Sequence, residues 1–600
     1  MPIQQDELKQ QLGGILAEQA IAIRQRRKLV EERWLRSRRV WMGFDLERRF
    51  TSSDTSSSDY TLPAARRAAE RSIVRGVKLL TPNVKWFEMQ PMSDDVSDEK
   101  LSNVDSYMHY ILRKKIKTRS NISQLVRSMF ICGVCHQKTS IMVRNGLVWP
   151  SQRAVDPFAF YTFPETASTS DEAEVIFEDY LFSYERYLTF VAKGIVDAVP
   201  RSSLVKPDWP YHLTERMAYQ GITDPTANVD IAINRVGDQL EKTTAGFVSI
   251  TEMWLSREDR LYQVYILWNH YQGARCVGFI ESQYDEPLYR SVIHRALPGE
   301  LYTNSMMSDI DELDGMQNDS LNKFMDAVDY EQGFIGVNDD MVSRMDSIKA
   351  KGRSIWHFKD DPRLATNFVS PPNSSTNQLR AWQIQLGLIN SMAGTGTIGE
   401  GQPGRNMPRS GNAVNNLVNL SMADIQDVAE LIEQEVLTPG LGDIYKVSST
   451  FIPDSQLVRI PGAKGRFGNI LKASDLAGDY EFEWVGSLQF QDDAARAQRL
   501  MIFLNLMPQL APMLQQQGYA FDIVELIQMI WRYGLGERGL RNIVVKIAEL
   551  QQKVQGDTLP AELGQPVQQG QQGAEQATPA GSVPGLKYNL PAVTNGFVQQ

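Results

Sequence analysis

The sequence predicts an α+β fold, predominantly helical and divided into several domains. Three observations carry this. Segments with apolar residues three or four apart recur at 5–49, 63–80, 98–132, 305–332, 376–393, 412–437 and 490–550. Alternating apolar and polar runs fall into two blocks, 139–163 and 245–300. The chain has 600 residues, 42% of them apolar and 22% charged, which is enough for more than one core.

The first helix, 5–49, places Trp34 and Trp41 on one face and concentrates bases elsewhere, among them Arg24, Arg27, Arg33 and Arg36. Two readings of that basic side stand open: a solvated face on a docking helix, or contact with DNA or a partner's acidic surface. TSSDTSSSDY, 51–60, is a loop by composition, and helices resume at 63–80 and 98–132. Cys132-Gly133-Val134-Cys135-His136 has the spacing of a haem-attachment site. Haem attachment needs an oxidising compartment, and MPIQQDELKQQL contains no apolar signal core. No second Cys/His pair follows at zinc-ligand spacing. These residues are therefore read as buried small thiols in a turn from helix to strand.

Strand periodicity begins with TSIMVRN, GLVWPS and VDPFAFYTF, and EAEVIFEDYLFSYERYLTFVA (172–192) reads as a strand followed by a helix. Residues 200–245 form a connection. GFVSITEMWLS, RLYQVYILWNHY and ARCVGFIESQY then make a small antiparallel β unit. Next comes Ser305–Gln332, one long helix or two joined end to end, with Ile310, Leu313 and Met316 and then, after a slip of register, Leu321, Phe324, Met325 and Val328 at helical steps. Ser308 and Asp311 read as its capping box, and Gly333 and Gly336 stand where it should stop. It carries eight carboxylates against one base, Lys323. That imbalance reads either as an ordinary solvated acidic face or as a surface that must not hold a polyanion.

The net charge of −10 argues against a protein that grips nucleic acid along its whole surface, though not against one that lets it pass. Three cysteines suit a reducing compartment. No uncharged apolar run reaches the roughly 18 residues that span a bilayer. The expectation is a soluble, intracellularly made chain.

The order of a helical N-terminal region, FICGVCHQKTSIMV, VDPFAFYTFPET, a β unit beginning ITEMW and then LDGMQNDSLNKFMD resembles the portal proteins of tailed double-stranded DNA bacteriophages. In that family the helix after the β unit carries a Gln followed by an Asn, here Gln317 and Asn322. The resemblance implies a dodecameric ring at the capsid vertex, assembled in the host cytoplasm, through which DNA is packaged and ejected. Implied partners are other copies of the chain, terminase, a tail adaptor, the major capsid or scaffold protein, and DNA in transit. The implied division is a wing with the start of the stem (1–244), a clip (245–300), a stem helix (301–338), a wing return (339–440), a strand-rich wing patch (441–489) and a helical crown (490–550). Asp309, Glu312, Asp319 and Asp326 are expected to face the channel. Tyr262, Tyr265, Trp268 and Tyr271 are expected to give the clip its docking surface, although alternation lets only about half of them face a partner.

Thr376–Ala393 reads as a helix, followed by GTGTIGEGQPGRNMPRSG. Gly394, Gly396 and Gly399 spell GxGxxG, but a helix precedes them and prolines follow, whereas a dinucleotide site needs strand, turn and helix. The resemblance makes 394–411 a tunnel loop that touches DNA through Arg405 and Arg409. The next helix runs from Asn412 to Leu437 and ends at Pro439-Gly440. Residues 551–600, rich in Gln, Gly and Pro, are expected to be a disordered tail. No P-loop, HExxH or serine elbow occurs, the six histidines lack ligand spacing, and DIDELDG puts Leu313 where a calcium ligand belongs. A non-enzymatic channel subunit without cofactor or metal is therefore the leading expectation. An enzyme or nucleotide-binding subunit using the Gly394–Gly399 loop is the alternative.

Overall fold

α1 (Pro2–Met42) packs in two different ways along its length. In a computed structural model, the structure describes residues 2–43, 60–81, 86–92, 98–144, 146–164, 172–207, 246–257, 260–295, 302–331, 334–337, 366–369, 375–393, 423–452, 458–461, 467–471, 476 and 478–486. All of them fall in the first of two units, Met1–Glu537. The loop with Arg405 and Arg409, the crown, the tail, His212 and His357 lie outside the described residues.

Leu16, Ala20 and Ile23, spaced four and three apart, put the first half of α1 onto a sheet against Tyr161, Phe177, Met253 and Val264. Trp34 and Leu35 take the second half into a larger core shared with α2 (Ala64–Leu80) and α4 (Thr118–Cys132). Between them β1 (Phe87–Pro91) and α3 (Asp98–Tyr110) lead through a widened turn at Ile111–Lys115. α4 stops where Gly133 adopts φ +76, a left-handed cap that its missing Cβ permits, and β2 (Val134–Arg144) begins at once. The CxxCH segment is thus a helix-to-strand turn, with both thiols buried.

β2 pairs with β3 (Leu147–Val155) on one side and β9 (Tyr289–Ile293) on the other. The second sheet runs β4 (Phe160–Phe163), β5 (Val175–Ser183), β6 (Phe247–Arg257), β7 (Arg260–Leu267), β8 (Arg275–Glu281), antiparallel throughout. The strands expected to stand alone at 245–300 therefore extend a sheet begun before residue 184, while β9 leaves it for β2. α5 (Tyr184–Ala192), capped by Ser183, covers the face opposite α1 through Tyr187.

The acidic helix is α6 (Met306–Glu331). Its cap is Ser305, whose hydroxyl accepts from the Ser308 amide at 3.1 Å, and not the Ser308–Asp311 box read from sequence. The antiparallel pair β10 (Phe334–Val337) and β11 (Thr366–Val369) precedes α7 (Ser375–Met392), packed along α6. The stretch 423–432 is helical, and Pro439 does not end it. A π turn at Glu433–Leu437 absorbs the proline, and α8 (Thr438–Phe451) continues beyond it. Proline lacks a donor and crowds the preceding turn, and the wider turn relieves both faults. Gly440 serves close packing rather than termination: a Cβ there would lie 2.7 Å from Gln137 Oε1. Consequently the start of the expected strand-rich patch is helix. Strands β12 (Val458–Pro461), β13 (Phe467–Leu471) and β14 (Tyr480–Trp484) follow, and β14 pairs back with β1. With five sheets beside its helices, the described fold is mixed α/β, with helix the larger share.

Candidate functional site on the acidic helix

α6 has a holding face and an outer stripe, both set by helical spacing. Asp314, Asn318 and Asn322, four apart, are buried and bind the backbone that leads into α2. Asp314 Oδ1 accepts from the Ala65 amide at 3.1 Å, Asn318 Oδ1 from Leu62 at 2.9 Å, and Asn322 Oδ1 from Tyr60 at 2.7 Å. Asn322 Nδ2 also donates to the Tyr60 carbonyl at 3.1 Å. Because α2 has Pro63 at its N-cap and no side-chain cap of its own, Asp314 supplies the negative charge that its N-terminus favours. Gln317 is fully buried beside them, and neither atom of its amide has a partner among the described residues. This polar stripe was visible in the sequence only as a four-residue rhythm.

The outer stripe runs through 309, 312, 316, 319, 323 and 326, alternating three and four. Glu312 is exposed, Asp319 and Asp326 are half-buried, and Met316 and Lys323 share the stripe. All four expected channel carboxylates therefore stand in one line, and the first of them, Asp309, is paired with Arg295 at 2.7 Å. Asp311 makes a close ion pair with Arg36 of α1, and Arg33 donates to Asn304 Oδ1 at 2.8 Å. Part of the α1 basic face thus meets this chain's own acidic helix. Arg24 and Arg27 are likewise held inside the fold: Arg24 pairs with Asp179 at 2.6 Å, and the Arg27 guanidinium lies 3.5 Å from the centre of the Tyr161 ring.

Of the four aromatic residues assigned to docking, Tyr265 is buried in the core, and burial raises its phenol pKa. Trp268 lies under the Arg24 guanidinium at 4.2 Å and donates to Thr251 Oγ1 at 2.6 Å. These two are packing residues: Tyr265 of β7 lies in the cluster under α5, and Trp268, just past the end of β7, packs against the cluster under α1. Tyr262 is half-buried and stacked on Phe279, and Tyr271 is 61% exposed.

Sequence reasoning missed a buried charge cluster between the two larger sheets. Arg153, Lys138 and Tyr289 stand side by side across β3, β2 and β9, facing Glu178 and Glu252, which are opposite each other on β5 and β6. Lys138 Nζ lies 2.6 Å from Glu252 Oε2, and Arg153 Nη2 lies 2.6 Å from Glu178 Oε1. Tyr289 donates to Glu178 Oε2 at 2.8 Å, and Tyr180 bridges both acids. Burial opposes the Glu252 charge. The Lys138 ammonium, with bonds from Trp254 and Gln263, outweighs that and holds its carboxyl below the ordinary range. Two acids in otherwise apolar strands, VIFEDYLF and ITEMWL, were the available signal.

His136 is buried, hydrogen-bonded to Ser291 Oγ at 2.9 Å, and burial with nearby Arg27 lowers its pKa to about 3. Desolvation also raises the Cys135 thiol pKa. Both groups stay neutral and inert near neutral pH. Among the described residues no group of three His, Cys, Asp or Glu side chains is placed to hold a metal ion, and no helix is long and apolar enough to cross a membrane. Comparison with protein-family models and with curated proteins finds no match.

Proposed function

We propose that the chain is a portal subunit, one segment of a ring at a phage capsid vertex through which double-stranded DNA is packaged and ejected. The observation that supports this best is α6. It is a helix of 26 residues, about 39 Å long, with its inner face fixed to α1 and α2 and a line of carboxylates along its outer stripe. Each Lys or Arg on a conduit wall would hold a phosphate by releasing counterions, whereas carboxylates leave no deep minimum along the path. In this reading Glu312, Asp319 and Asp326 face the channel, while Asp309 is paired with Arg295. The loop 394–411 would touch the duplex transiently through Arg405 and Arg409.

Subunits in this reading meet head to tail, since only heterologous contacts close a ring around a channel. Terminase and later the tail adaptor dock on the β6–β8 end, where Tyr271 and the outer side of Tyr262 are offered. The capsid or scaffold protein holds the outer rim. Light scattering on the purified chain tests the assembly. The expected particle is a closed ring of about twelve 67.8 kDa chains. A stable monomer or dimer at micromolar concentration contradicts it.

A further inference from the structure

Away from α6, the N-terminal end of α4 opens onto a groove of about 620 Å³ between α2 and the widened turn after α3. Its volume falls in the range of small-ligand sites. Four bases line it, Arg113, Lys117, Arg119 and Arg127, and none of the described lining residues carries a carboxylate. Glu70 takes Nε and Nη2 of Arg127 at 3.3 and 3.1 Å. Among the described residues Lys117 and Arg119 are exposed and have no ion-pair partner. α4 has no side-chain cap and no acid in its first turn, and Ser120 and Ser123 add hydroxyls to the same wall. The groove floor is apolar: Ile73, Val74 and Val77 lie beside Trp86, whose ring carries the Arg113 guanidinium at 5.5 Å.

The exposed Lys117 and Arg119, with an indole and an aliphatic floor in the same groove, fit a ligand with two parts, a phosphate and a flat apolar ring. We propose that this groove binds a nucleotide unit, with its phosphate between Lys117 and Arg119 at the start of α4 and its base against Trp86 and Val74. The unit is a free mononucleotide or an unpaired nucleotide of a single strand, because a base stacked in a duplex cannot reach the floor. The inference does not rest on the portal reading, and a particle of any size can be tested for it.

The test is fluorescence polarisation of a short labelled oligothymidylate on the full-length protein, with thymidine monophosphate and inorganic phosphate as competitors. Binding is expected, weakening as salt is raised. Lys117→Glu with Arg119→Glu should weaken it roughly tenfold or more. Trp86→Ala should weaken both nucleotide probes about fivefold or more and leave competition by inorganic phosphate unchanged. Displacement by the monophosphate identifies a free nucleotide as ligand, and binding of the strand alone identifies the strand; either supports the site. Binding that is absent, or indifferent to the charge reversals, overturns it. Nucleotide affinity unchanged in Trp86→Ala reduces the groove to an inorganic-anion site and overturns the nucleotide assignment. If the double reversal lowers the thermal midpoint, the exposed Arg119→Gln replaces it, with the same direction expected.

Discussion

Single side chains here take roles that their chemistry makes measurable. Asp314 caps a helix that is not its own, so Asp314→Ala should lower stability by about 1 kcal/mol, read as a shift in denaturant midpoint. Asp314→Asn should recover most of that, because an amide oxygen still accepts from Ala65. His136 sets an acid limit. Its folded pKa of about 3 lies below the ordinary 6.5, so between those values the unfolded chain binds a proton that the folded chain refuses. The stability owed to a neutral His136 is complete above about pH 6.5 and falls by at most about 1.4 kcal/mol for each unit below it, levelling off near pH 3. His294 and His270 are lowered by burial and add to the same slope. Glu252, also lowered, stabilises the fold above the ordinary carboxylate range and loses that contribution only as pH falls below about 4.5. Urea titrations between pH 5 and 7 on wild type and His136→Gln test this, and the variant should show the shallower slope.

At the scale of elements, the long helices were legible because three- and four-residue spacing is local information. α2, α6 and α7 begin and end within a few residues of where the periodicity puts them. Local signals failed where a distant partner decided. Ser308 looked like the cap, yet the chain turns at Ser305, three residues earlier. Pro439 and Gly440 looked like a terminator, yet a π turn and the approach of Gln137 give both residues other reasons to be there. Strand pairing was the least legible feature: nothing local says that β6 adds to β5 across more than sixty residues while β9 joins β2. Lys138 and Glu252 sit at that junction, 9% and 7% exposed in their side chains. Lys138→Met, which leaves Glu252 buried and uncompensated, should cost about 3–5 kcal/mol. Adding Glu252→Gln should restore a large part of it, since the cost comes from the stranded charge. A double-mutant cycle in guanidinium checks this, and strictly additive losses would show that the two side chains are not coupled.

For the whole molecule, the central claim is that identical chains surround a channel whose wall repels DNA. Lysines at Glu312 and Asp319 should leave assembly intact but slow DNA passage in a packaging or ejection assay, with the defect fading as salt screens the added charge. Variants that pass DNA at the normal rate at low salt would remove the electrostatic role and leave α6 as a packing helix. The acidic bias of α6 was plain in the sequence. What the sequence hid was how many of its carboxylates are already used, because Arg36, Arg295 and the Ala65 amide reach them from distant positions. The most direct measurement is a negative-stain image of the purified protein viewed down the particle axis. The account predicts a closed ring of about twelve identical lobes around an open centre, and a field of monomers, or of compact particles without a central opening, would contradict it.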